Sequence, residues 1–150
     1  MQKRKKVILF FTLVLSLLGL FMIYWEWRIP ARETLPASPC TRVQVYGFFL
    51  DEHVEFTPNE GAPELFLPAM EGISVDRGPE WSTYRGDAIG LLLYFDGKEY
   101  PVNLSVCEDG SMSVWDYGTD KVQYFEHGQD LFQRFLTITK DLPAENLRGE

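Results

Sequence analysis

An uncharged, almost wholly apolar run at positions 7–25 (VILFFTLVLSLLGLFMIYW) constrains this chain more than any other feature. A helix rises about 1.5 Å per residue, so these 19 residues reach roughly 28 Å, close to the hydrocarbon thickness of a bilayer. Lys3, Arg4, Lys5 and Lys6 stand directly before the run. Basic flanks stay in the cytoplasm, which places the N-terminus inside and the C-terminus outside. Tyr24, Trp25 and Trp27 follow, where amphipathic rings suit the membrane interface, and Pro30 stops the helix. A cleaved signal peptide is the competing reading, but its apolar region is normally only about 7–15 residues. Prolines crowd the candidate cleavage points at Ala31 and Ala37, and Cys40 lies too far downstream for lipoprotein processing. An uncleaved signal anchor over 7–27, after a basic tip at 1–6, is therefore expected. Ser16 and Gly19 are three apart and do not form the four-residue spacing of a helix-pairing motif.

Charge divides the chain. Six of its 14 Lys and Arg lie at or before Arg32, where Glu26 is the only acid. From Glu33 onward there are 21 acidic and eight basic residues, a net −13. Such a domain repels phosphate backbones and anionic lipid, which argues against nucleic acid and favours neutral or cationic partners. Apolar content of 45% and aromatic content of 15% indicate a folded domain.

Residues 28–39 (RIPARETLPASP) carry three prolines and no apolar period, and read as a short stiff stalk. From Thr41 to Thr57 the chain alternates, with Val43, Val45 and Phe49 on one face and Tyr46, Phe48 and Leu50 on the other. Asp51-Glu52 marks a turn that makes this stretch a hairpin; a bent continuous strand is the alternative. Residues 58–80 are rich in Pro, Gly and Glu and read as a loop, with short strands near Leu65-Phe66-Leu67 and Ile73-Ser74-Val75. An apolar run from Ala88 to Phe95 then meets Asp96-Gly97, a strong hairpin signal, and Tyr100, Val102, Leu104 and Val106 alternate beyond it. Pro101 must sit where no ladder donor is needed. Two more turns, at Glu108-Asp109-Gly110 and from Tyr117 to Asp120, extend this into a four-stranded antiparallel meander. Leu131, Phe132, Phe135 and Leu136 form a stripe of helical period, with Asp130 in the first turn, Lys140 in the last and Pro143 as the stop. The expected architecture is α+β: an N-terminal transmembrane helix, then an antiparallel meander packed against one C-terminal helix over 40–142, with a loose tail at 143–150.

Five sets of residues carry candidate chemistry. Cys40 and Cys107 both fall on the outer side, where disulfides persist, and are expected to bond; two free thiols are the alternative. Asp51, His53 and Glu55 alternate and share one face of an extended strand, a donor set for a divalent ion, although no second His or Cys stands near. Asp96, Asp116 and Asp120 lie in turns at the same end of the meander and could offer hard oxygen ligands for calcium, although ordinary turn chemistry is the simpler explanation. Trp81, Tyr84, Trp115 and Tyr117 are unexplained by core alternation and mark a partner- or ligand-binding face, unless the long loop covers them. His127 precedes Gly128 in a turn. No nucleophile elbow, zinc-protease motif, phosphate loop or paired Cys-x-x-Cys occurs. The expected function is thus a membrane-anchored extracytoplasmic interaction module without catalytic activity or cofactor, binding a protein or peptide partner of the membrane or envelope. A sensor or binding domain for a small ligand, cell-wall sugar or divalent metal is the alternative. A hydrolase working through His53 or His127 is the remote third.

Overall fold

The computed structural model describes residues 2–49, 52–57, 62–79 and 86–146, with the backbone alone at 2, 3, 24–27 and 146. The first helix, α1, covers Gln2–Trp27, and its stretch Arg4–Ile23 is long and apolar enough to cross a membrane. None of that stretch is buried against the rest of the chain. Thr12 and Ser16 donate their hydroxyls to the carbonyl oxygens of Ile8 (2.9 Å) and Thr12 (2.8 Å), so neither is left unsatisfied in an apolar setting. The rings of Tyr24, Trp25 and Trp27 lie outside the described residues.

Beyond α1 the chain builds an α+β domain on one antiparallel sheet. Its strands are β1 (Arg28–Pro30), β2 (Cys40–Phe49), β3 (Glu52–Phe56), β4 (Ser74–Arg77), β5 (Ala88–Phe95), β6 (Val102–Cys107), β7 (Met112–Asp116), β8 (Lys121–Glu126) and β9 (Ala144–Asn146). They lie side by side in the order β1-β4-β8-β7-β6-β5-β2-β3-β9. The meander expected from the turn signals is β5 to β8, and the hairpin expected around Asp51-Glu52 is β2 and β3. Asp96-Gly97 turns the chain, with Gly97 at φ +75°. The return strand, however, starts only at Val102, because Pro101 has no N–H for the ladder. The carbonyl of Pro101 instead accepts the N–H of Tyr117 (3.3 Å).

Two helices, α2 (Ala62–Ala69) and α3 (Gln129–Thr139), cover one face of the sheet. Val43, Val45, Ile89, Leu91, Leu93, Val102, Leu104, Val106, Met112 and Val114 point into that layer and meet Phe66, Leu131, Phe132 and Phe135 in one core. The rings of Phe66 and Phe135 meet edge to face at 5.4 Å and join the two helices.

Three segments differ from the sequence expectation. The strand expected at Leu65-Phe66-Leu67 is helix α2: Ala62, Phe66 and Met70 are buried at a four-residue spacing while Leu65 is 45% exposed. Three consecutive apolar residues cannot reveal which period they belong to. Arg134 of α3 donates from Nη1 to the carbonyls of Ala69 (2.9 Å) and Glu71 (2.9 Å), satisfying the end of that helix. The expected stalk is part of the domain instead. Its first residues are strand β1, paired with β4, followed by a 3-10 turn (Ala31–Thr34); Ala31 and Leu35 are buried in the core. Two small or isolated apolar residues among three prolines gave no period to detect. The expected tail opens with β9, which pairs with β3 as the sheet's far edge.

Candidate functional site

Because both helices take one side of the sheet, the opposite side is left open among the described residues. Cross-strand register assigns what it carries. One row runs Glu145, Glu55, Tyr46, Gly90, Ser105, Ser113 and Tyr124 across seven strands. The next runs Gln44, Leu92, Asn103, Trp115 and Val122. A third places His53, Phe48, Ala88 and Cys107 side by side. The open side therefore mixes aromatic and polar side chains with Leu92 and Val122, where the covered side is wholly apolar.

Tyr46 organises the centre. Gly90 stands opposite it on β5, and any β-carbon there would overlap the Tyr46 ring. The missing side chain lets the ring lie across β5. Its hydroxyl donates to Oδ1 of Asn103 on β6 (2.7 Å) and lies 3.2 Å from Oγ of Ser105. Asn103 in turn donates from Nδ2 to the hydroxyl oxygen of Tyr117 (3.2 Å). A chain of polar contacts thus crosses from β2 to the turn after β7 and fixes three side chains before any ligand arrives. At the margin, Tyr94 donates its hydroxyl to Oε1 of Gln44 (2.8 Å), and the guanidinium of Arg42 sits 3.9 Å over the Tyr94 ring.

A cleft of about 510 Å³ opens on this side, lined by residues that include Gln44, Tyr46, Phe48, His53, Glu55 and Tyr117. Phe48 and His53 stack at 4.8 Å with an interplanar angle of 15°, and Tyr46 meets both edge-on. Flat rings on the floor and walls, with a carboxylate and amides between them, suit a ligand that presents an apolar or cationic body and a few polar groups.

Trp115 and Tyr117, expected as a partner face, lie on this open side at 39% and 37% exposure. Their rings meet edge to face at 4.8 Å, and Trp115 donates from Nε1 to Oδ1 of Asp120 (3.2 Å). Trp81 and Tyr84, expected with them, lie outside the described residues. Nothing in the sequence alone marks Tyr46, Gln44 or Asn103 as site residues. Alternation in β2 signals that Tyr46 faces away from Val43 and Val45, but only register shows what it meets.

The expected disulfide does not form: Cys40 and Cys107 are both free. Cys40 pairs with Phe95 and Cys107 with Ala88, at opposite ends of β5. Seven residue steps along β5 separate them by about 23 Å, where a bond requires Cα atoms within about 7 Å. Burial pushes the Cys107 thiol up to about 12, with the nearby Asp109 charge adding to it. Burial likewise raises Cys40, against backbone hydrogen bonds from Arg42 and Tyr94 and the Arg32 charge, which lower it.

Among the described residues no three His, Cys, Asp or Glu side chains come close enough to hold an ion. Asp116 and Asp120 are engaged with other partners. Asp116 forms a salt bridge to Lys98 (2.6 Å), whose hydrogen bond holds its carboxyl below the usual range, and accepts the N–H of Gly118 (3.0 Å). Asp120 accepts from Trp115. His53 and Glu55 do share the open face, but Asp51 lies outside the described residues. His127 occupies a left-handed conformation (φ 65°) and places Nδ1 2.8 Å from Oδ2 of Asp76, tying the end of β8 to β4. Among the described residues no hydroxyl or thiol is hydrogen-bonded to either histidine.

Comparison with protein-family models, with curated proteins and with solved structures finds no match to this chain.

Proposed function

We propose that this chain is a membrane-anchored, non-catalytic binding module that presents the open side of its sheet to a protein or peptide partner of the membrane or envelope. The observation that carries the reading is the asymmetry of the sheet: apolar and roofed by two helices on one side, mixed aromatic and polar, hydrogen-bonded and cleft on the other. Burying Phe48, Trp115 and Tyr117 against a partner would remove three exposed aromatic groups, the residue type enriched at interface centres. Helix α1 supplies the anchor, and the basic residues of its first turns orient the domain to the extracytoplasmic side.

The test is affinity capture of the full-length protein from its own membranes, with and without Trp115→Ala and Tyr117→Ala. A partner retained by the natural chain and lost from the doubly substituted one supports the reading. A partner retained equally by both removes the open side as its contact.

A second reading, a receptor for a small ligand such as a cell-wall sugar, draws on the cleft itself. Its volume lies within the range of small-molecule sites, and its walls combine flat rings with amide and carboxylate groups. Sugars that raise the melting temperature of the protein would favour it.

A further inference from the structure

Resting on the reading of the open side as a partner surface, we infer that its cleft takes the cationic side chain of a lysine or arginine carried by the partner segment. Three observations converge on that chemistry.

The first is charge placed against charge. Glu55 on β3 faces Glu145 on β9 in direct register on the open side. Like charges directly opposed across strands destabilise a sheet. No lysine, arginine or histidine forms a salt bridge with either residue among the described ones. The fold carries this repulsion at the rim of a cleft, and a bound cation relieves it.

The second is the lining. Glu55 enters the cleft beside Tyr46, Phe48 and Tyr117, and among the described residues no lysine or arginine contributes to the walls. Aromatic faces with one carboxylate are the arrangement that attracts an ammonium or guanidinium through ring quadrupole and ion pair together. Arg42 over Tyr94 shows the same contact elsewhere on this side of the sheet.

The third is the field. A net of −13 from Glu33 onward draws cationic segments toward the domain and rejects anionic ones.

The test uses the full-length chain in phosphatidylcholine nanodiscs and two fluorescein-labelled hexapeptides, one alternating lysine with alanine and one alternating glutamine with alanine. Fluorescence anisotropy reads binding. The lysine peptide is expected to bind at least about tenfold more tightly than the glutamine peptide. Glu55→Gln weakens the lysine peptide about five- to tenfold and, by relieving the repulsion with Glu145, slightly raises the melting temperature of the free protein. Glu64→Gln removes an equal charge from the exposed side of α2 and leaves the affinity unchanged. Equal binding of both peptides overturns the cationic assignment while leaving the open side as a binding surface. So does an equal loss from Glu55→Gln and Glu64→Gln, which makes the attraction a property of net charge alone. No binding of either peptide overturns it too. Failure of the broader reading is seen separately, when partner capture is indifferent to Trp115 and Tyr117.

Discussion

Tyr46 lies flat across Gly90, and through that gap its hydroxyl reaches Asn103 at 2.7 Å, two strands away. The contact converts an ordinary sheet face into a preorganised one, because Asn103 then orients Tyr117. Gly90→Ala is expected to displace the ring and cost about 1–3 kcal/mol. Tyr46→Phe keeps the ring, loses the hydrogen bond and costs about 1 kcal/mol. Thermal unfolding of the two variants in detergent measures both, and Gly90→Ala should be the worse.

Helix α2 makes adjacent residues unequal. Phe66 is wholly buried against Phe135 while Leu65 beside it is exposed. Phe66→Ala is expected to cost about 3–5 kcal/mol, and Leu65→Ala under about 0.5 kcal/mol. Similar losses at both positions, measured by denaturant unfolding, would contradict the helix.

Arg134 anchors the end of that helix from α3. Arg134→Met removes both hydrogen bonds, with an expected loss of about 1–2 kcal/mol. Hydrogen exchange should rise at 68–73 and stay unchanged in the meander.

The two cysteines give a prediction in pH. Burial holds the Cys107 proton in the native state up to about 12, against an ordinary value of 9.0. The unfolded chain releases that proton first, so the contribution of Cys107 is intact below pH 9 and declines as pH rises toward 12. Cys107→Ala should flatten this alkaline loss. Intact mass without reductant should show two free thiols, and Cys40, the more exposed, should react first with maleimide.

Much of this fold is legible in the chain. The meander, the β2–β3 hairpin and the stripe of α3 follow from turn residues and periods that each span several positions. What escaped did so for local reasons. Leu65, Phe66 and Leu67 are too few to distinguish strand from helix, and the core contribution of Ala31 and Leu35 is invisible among prolines. Proximity in the site was legible only where a turn fixes it. Trp115 and Tyr117 were found because they oppose Met112 and Val114. The meeting of Tyr46 with Asn103, 57 positions on, depends on which strands become neighbours. The same ignorance suggested a bond between Cys40 and Cys107, which β5 holds apart at its two ends.

The most direct test of the open side is site-specific photo-crosslinking in cells. Benzoylphenylalanine would replace Phe48 or Tyr117 on that side, or Gln133 on the exposed surface of α3. Crosslinks to one and the same envelope or membrane protein from Phe48 and Tyr117, and none from Gln133, are the predicted result. Crosslinks from Gln133 with none from the other two would contradict the account.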